Sequence, residues 1–245
     1  MTFTLHHKAV TTSTNLDARE GAPGDVFTAD EQTAGRGRLD HRWLSPPGKN
    51  LMMSAVFNVD GLTPEHVSTF PLMVGLAVRD ALLGFMPPHA PRVLLKWPND
   101  VLADGRKIAG ILCERTGDRV IAGIGVNVNQ TEFNEEIASC ATSLALLRGN
   151  DDMRVEAVRD AMLAALNSRF KTWLSGGFAA MHADYAAVDA LRGHTITVRQ
   201  TDDDAFPVHG LCDGVAPDGT LLVAGKPIFA GEAHILTSGD INTYA

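Results

Sequence analysis

Between residues 92 and 129 three short, β-branched runs follow one another with only turn residues between them. They are RVLLKW (92–97), KIAGILCER (107–115) and RVIAGIGVNVN (119–129), broken at Pro98, Gly105 and Gly117-Asp118. Proline has no N–H to give a sheet and glycine lets a chain reverse, so the stretch predicts consecutive strands and hairpins. Alternation in LMMSAVFNV (51–59) puts Leu51, Met53, Ala55, Phe57 and Val59 on one face of a further strand. Strands are also expected at 2–9 and 26–30, with a short helix between them, introduced by Thr12–Asn15 and closed by Gly21.

Helical spacing appears twice. Val67, Phe70, Met73, Val74, Ala77, Val78 and Ala81 predict an amphipathic helix over 65–85. Val155, Val158, Met162, Leu166, Phe170 and Trp173 predict a longer one over 153–174, stopped by Gly176-Gly177, with a second helix over 178–191. Beyond Gly193 the character changes to short strands (TITVRQ, PVHGLCDGV, TLLVAG, GEAHIL) separated by DDD, PDG and GK turns, enough for a small β-barrel. The expected division is therefore 1–190 and 191–245.

The 245 residues carry 21 Lys and Arg against 29 Asp and Glu, a net charge of −8, which argues against a broad nucleic-acid surface. No window approaches the ~18 apolar residues of a membrane helix, and MTFTLHHKAVTTSTN has no secretory pattern. Cys113, Cys140 and Cys212 lie far apart with no metal-ligand spacing, as expected of reduced thiols. Histidines are scattered, and no Walker, Rossmann, zincin or serine-hydrolase motif is present.

Against this acidic background TAGRGRLDHRW (33–43) concentrates positive charge. Gly35 and Gly37 permit close backbone approach, and Arg36 and Arg38 add planar donors suited to carboxylate or phosphate. Alone, GRGR fits a solvated loop equally well, but Trp43 and Ser45-Pro46-Pro47-Gly48 suggest a loop folded back onto the sheet. In KWPNDVLADGRKIAG (96–110), Asn99 and Asp100 offer oxygens at a strand mouth. Lys107 enters an apolar strand, either as an edge lysine or as a partner for an anion. In GIGVNVN (123–129), Asn127 and Asn129 share one strand face beside Gly125, which suits the edge of a ring such as adenine.

Taken in order, STN (13–15), QTAGRGR (32–38), W-x-S-P-P-G (43–48), KWPND (96–100), RKIAGIL (106–112), GIGVNVN (123–129), ATSL (141–144) and GE (231–232) resemble the biotin protein ligases. The resemblance implies an α+β fold: a mixed β-sheet flanked by helices, as in class II synthetases, followed by a small SH3-like barrel. It implies that biotin's carboxylate attacks the α-phosphorus of ATP, with Mg²⁺, to give biotinyl-5′-AMP. A lysine of a biotin carboxyl carrier protein then takes the biotin. By the same resemblance Lys107, Arg38 and Arg36 are catalytic; Ser13, Thr14, Asn15, Gln32, Gly35, Arg36, Arg38, Lys107 and Gly110 hold biotin. Arg36, Arg38, Trp43, Lys107 and Asn127 hold the nucleotide, and Asp100 or Asn99 anchors the metal.

Two departures stand out. Where the family continues with glycine and arginine after GRGR, this chain has Leu39-Asp40-His41-Arg42. With STN at residue 13 there is no room before it for the DNA-binding domain of bifunctional relatives, so a monofunctional, cytoplasmic ligase without DNA or membrane partners is expected. A homodimer through the sheet stays open. The competing readings are a lipoate or octanoate ligase or transferase on the same fold, and a non-enzymatic biotinyl-AMP sensor.

Overall fold

A computed structural model describes residues 1–38, 41–87, 92–199 and 207–236. Seven strands make the main sheet: β1 (Thr4–Thr11), β2 (Asp25–Gln32), β3 (Leu51–Asn58), β4 (Val93–Lys96), β5 (Asp100–Ala103), β6 (Arg106–Thr116) and β7 (Arg119–Val126). Their spatial order is β1-β2-β3-β7-β6-β5-β4. Only β1 and β2 pair in parallel, and the chain crosses between them through α1 (Thr14–Asp17) and a short 3₁₀ turn. All other neighbours are antiparallel, so the sheet is mixed.

One face of the sheet is covered by α2 (Pro64–Ser68), α3 (Phe70–Leu83) and α5 (Val155–Gly176). The expected helix over 65–85 is two helices, because the chain breaks at Thr69 and restarts with Pro71 in the first turn of α3. Val158, Met162, Leu166, Phe170 and Trp173 of α5 are buried, as its spacing predicts. Phe57 and Phe170 pack at 4.7 Å between centroids, Phe70 stands edge-on to Trp173 at 5.2 Å, and the Trp173 indole donates to Thr69 Oγ1 at 2.9 Å.

β3 shows why single-face alternation understates a central strand. Every residue from Leu51 to Phe57 is buried. Leu51, Met53, Ala55 and Phe57 join the helix-side core, whereas Val56 packs with Ala18 and Ile121 beneath the α1 turn and Met52 faces a cleft. That second covered face carries the site described below.

After Gly177 the expected helix over 178–191 is instead a 3₁₀ turn (Phe178–Met181) and α6 (His182–Ala186). Residues 188–190 then run beside the edge strand: Leu95 donates to the Val188 carbonyl and Ala190 to the Leu95 carbonyl, both at 2.8 Å. An exposed edge is thereby covered. The second sheet, β8 (Thr195–Arg199), β9 (Val208–Val215), β10 (Leu221–Val223), β11 (Lys226–Ile228) and β12 (Glu232–Ile235), is antiparallel in the order β11-β10-β9-β8-β12. β11 lies where the sequence reads as a GK turn, and the Asp202-Asp203-Asp204 turn falls outside the described residues. The sheets meet through Trp97, whose indole donates to the Gly219 carbonyl at 3.3 Å, and His182, 2.7 Å from the Val215 carbonyl.

α4 (Leu144–Arg148) begins at Ser143, which accepts from the Leu146 amide at 3.1 Å and donates to the Gln130 carbonyl at 2.5 Å. This fully buried hydroxyl ties the segment after β7 to the start of α4. Ser143→Ala is expected to destabilise the fold by about 1–2 kcal/mol, read as a lower urea midpoint at unchanged slope.

Candidate active site

Residues 33–38 and 41–43 fold back on each other beside β6 and β7. Trp43 donates its amide to the Gly35 carbonyl at 3.0 Å, Arg36 and Arg42 bridge, and Gly37 donates to the His41 carbonyl at 2.7 Å. Gly35 is required by this close approach, since a Cβ there would lie 2.4 Å from the Trp43 carbonyl oxygen. Leu39 and Asp40, the departure noted in the sequence, fall outside the described residues. The fold-back lays the Trp43 indole across β6 and β7, over Gly110 and Gly125, which are cross-strand partners. Two glycines side by side make the flat floor that a bicyclic ring needs. The buried indole N–H has no hydrogen-bond partner among the described residues, a cost that a ligand acceptor would relieve.

The opposite wall is α1. Ser13 is its buried N-cap, and Thr14 donates both its amide and its hydroxyl to Gln32 Oε1, at 2.8 and 3.1 Å. Asn15 is wedged deeper. Its amide donates to the Leu112 carbonyl at 3.2 Å and to Glu114 Oε2 at 2.7 Å, and Ser54 Oγ lies 2.6 Å from its Oδ1. Asn15 therefore lines the cleft with its carboxamide already engaged by the protein.

Lys107 reaches the same cleft because of a bulge. The β5–β6 pairing runs Asp100 with Gly110 and Val101 with Ala109, then slips so that Leu102 pairs with Lys107. The extra residue, Ile108, turns inward, so Lys107 shares a face with Gly110, Leu112 and Glu114 instead of with Ala109 and Ile111. Its ammonium lies 2.7 Å from Asp100 Oδ1 and 6.0 Å from the Trp43 ring centroid. Arg38 approaches from the loop, donating to the Gly231 carbonyl at 3.2 Å with Asn99 Oδ1 at 3.5 Å. Desolvation pulls this guanidinium below its usual pKa against the attraction of Glu232 and Asp100. A half-buried cation whose direct acceptors are neutral gains by meeting an anion.

Ser13, Thr14, Asn15, Gln32, Arg36, Arg38, Trp43, Asn99, Asp100, Lys107 and Gly110 thus line one cleft. Gly35 lies outside it, in the loop's own fold-back. Asn127 lines an adjoining groove with Lys107, Phe133, Ile137 and His234. The strand expected through residue 129 ends at Val126, so Asn127 and Asn129 do not share a strand face. Asn127 donates to the Thr142 carbonyl at 2.9 Å, and Asn129 exchanges hydrogen bonds with the Met153 backbone at 2.7 and 3.1 Å. Asn99 donates to the Ile111 carbonyl at 3.0 Å. With Asp100 on Lys107 and the Asn99 oxygen toward Arg38, these two oxygens already face cations, and no group of three metal-ligating side chains occurs among the described residues.

Two contributors are not evident from the sequence. Ser54 is buried behind the α1 wall between Thr14 and Asn15. Glu114 gathers Asn15, Arg36 (2.9 Å) and Arg19 (3.3 Å) on one carboxylate. Burial alone would raise its pKa, but the hydrogen bonds from Asn15 and both arginines outweigh that and hold it below the usual range.

The biotin/lipoate A/B protein ligase family matches residues 7–130. The chain is 31% identical over 244 residues to the biotin–[acetyl-CoA-carboxylase] ligase of Mycobacterium tuberculosis, covering 95% of this chain and 86% of that protein. It is 33% identical over 186 residues to the bifunctional ligase/repressor BirA of Bacillus spizizenii, and spans 56% of that protein's length. The fold superposes on a biotin protein ligase from Aquifex aeolicus in complex with biotin and ATP, with a TM-score of 0.82 and 29% identity, over 96% of this chain and 99% of that one. Shared sequence across the cleft-forming strands and shared architecture along nearly the whole length agree: the chain belongs to the biotin/lipoate A/B protein ligase family.

Proposed function

We propose that the chain is an ATP-dependent biotin protein ligase. The observation that carries this reading is the meeting of Arg38 and Lys107 in one cleft whose far wall is Ser13, Thr14 and Gln32. Joining a carboxylate to a triphosphate requires two anions to approach, and fixed cations in a partly desolvated site lower that repulsion. Biotin lies against Ser13, Thr14, Asn15 and Gln32, with Gly35 and Gly110 shaping the space and its carboxylate toward Arg36, Arg38 and Lys107. ATP enters from the groove of Trp43 and Asn127. The carboxylate oxygen attacks the α-phosphorus, the bond to pyrophosphate breaks, and Lys107 and Arg38 steady the charge that develops. In the second step a carrier lysine, having lost its ammonium proton, attacks the biotinyl carbonyl through its ε-amine. The C–O bond of the carbonyl–phosphate mixed anhydride breaks and AMP leaves.

Mg²⁺ arrives with ATP as the counter-ion of its phosphates, as the cation pairing of Asp100 and Asn99 favours over a resident cage. Residues 31–38, 41–50 and 130–141 close over the adenylate and keep water from it. Residues 1–190 supply the chemistry, and residues 191–245 add Gly231 and Glu232 at its rim. The protein partner is a biotin carboxyl carrier domain, the setting cytoplasmic, and pairing of two copies at the exposed edge of β1 is the natural dimer. No helix among the described residues is long and apolar enough to cross a membrane.

A transferase working through Cys113 or Cys212 has little support here. Burial pushes the Cys113 thiol well up and that of Cys212 to about 11, and neither lines the cleft. Pyrophosphate release, measured with ATP, Mg²⁺ and biotin, lipoate or octanoate in parallel, is expected with biotin alone, with AMP following on addition of a carrier domain. Turnover with lipoate only would reassign the substrate, and tight biotin binding without turnover would make the chain a sensor.

A further inference from the structure

The Glu114 carboxylate joins the two walls of the cleft. Oε2 accepts from Asn15 on α1 at 2.7 Å, and Oε1 accepts from Arg36 of the arginine loop at 2.9 Å and from Arg19, just after α1, at 3.3 Å. None of the three donors is close to Glu114 in sequence. Asn15 cannot shift to follow a moving loop, because Ser54 and the Leu112 carbonyl also hold it and its oxygen lies over Gly123. Beyond its stem, where Gln32 accepts from Thr14, the loop is tied to α1 among the described side chains only through Arg36 and this carboxylate. Its other side-chain ties reach Asn99, Gly231, Glu232, Lys107, Thr11 and its own stem at Thr33, none of them on α1.

We propose that Glu114 is a positioning residue for the first half-reaction, setting the distance between the α1 wall and the arginine loop and so the width of the slot that receives biotin. The inference rests on the reading of this cleft as biotin's. A single negative charge also serves two guanidiniums that would otherwise repel across the slot. Losing it frees Arg36 without removing any group that touches the reacting atoms. The expected signature is therefore a change in substrate capture, not in the chemical step.

Glu114→Gln keeps the size and the acceptor oxygen and removes the charge. It is expected to raise KM for biotin about tenfold with kcat within about twofold of the unchanged protein. Tm should fall by no more than about 4 °C. Trypsin should cut after Arg36, Arg38 or Arg42 several-fold faster in the ligand-free protein, a readout that needs no activity. Should Glu114→Gln fail to fold, Glu114→Asp keeps the charge but draws it back from Arg36 and Asn15, with a KM rise in the same direction and faster trypsin cleavage expected. Unchanged KM and unchanged cleavage would overturn the proposal, as would parallel losses of kcat and Tm, which denote a brace of the fold alone. If the unsubstituted protein shows no biotin-dependent turnover, the functional reading fails, whereas turnover unaffected by Glu114→Gln removes only the role of Glu114.

Discussion

Lys107→Ala is expected to slow biotinyl-adenylate formation by roughly 10²–10³-fold, while the dissociation constant for biotin stays within about threefold. The asymmetry follows from where the ammonium sits. It is 2.7 Å from Asp100 and lies near the Trp43 ring, at the junction of the cleft with the groove proposed for the nucleotide, away from the Ser13–Gln32 wall. Its interaction strengthens as charge builds on the phosphate oxygens, and only such differential contact accelerates the step. Removal also leaves Asp100 without its cation, adding repulsion for the incoming phosphates. Lys107→Ala/Asp100→Asn should therefore recover part of the rate, which separates lost attraction from added repulsion. Rapid-quench measurement of adenylate and calorimetric titration of biotin check the two halves. Equal losses in both would make Lys107 a binding group and remove it from the chemical step.

The position of Lys107 also marks where sequence reading ran out. Strict alternation along KIAGILCER places Lys107 with Ala109 and Ile111, on the face that the helices bury. The bulge at Ile108 re-aims it, and nothing in the residues announces a bulge, because the extra residue is as apolar as its neighbours. The long helix was legible since a single stripe meets the core. The arginine loop was legible because it concentrates positive charge in an acidic chain and runs into Trp43 and Ser45-Pro46-Pro47-Gly48. V-N-V-N misled: it reads as a strand continuing, yet Asn50, Asn127 and Asn129 supply to the backbone the hydrogen bonds that a ladder would otherwise give. Glu114 could not be read at all. A charged residue near a strand end is ordinarily a solvated one, and its partners Arg36 and Asn15 lie 78 and 99 residues away.

Gly123→Ala and Gly125→Ala, two positions apart on β7, are expected to fail in opposite ways. A methyl at 123 would meet Asn15 Oδ1 at 2.0 Å. β7 is paired on both sides, with β3 and β6, so its backbone cannot withdraw, and Asn15 is held by Ser54, Leu112 and Glu114. The asparagine must swing out and leave buried polar groups behind it, costing roughly 2–3 kcal/mol and lowering Tm by roughly 4–10 °C. A methyl at 125 would instead lie 2.5 Å from Trp43 Cε2. That ring belongs to a loop and can lift away, so Tm should move by less than about 2 °C, but the ring no longer closes the cleft floor. A misplaced wall of this kind lowers kcat/KM by about 10–100-fold. Gly110→Ala, across the strand pair and 3.0 Å from the far edge of the same ring, should show a weaker form of the Gly125 effect. Thermal melts and steady-state kinetics on the three variants decide it. The same atom added to the same sheet then separates two duties, since residue 123 fixes the wall that holds the fold together and residue 125 bears the ring that shapes the reaction space. Equal Tm losses at both positions, or unchanged kcat/KM in Gly125→Ala, would mean that the indole is packing and not part of the working site.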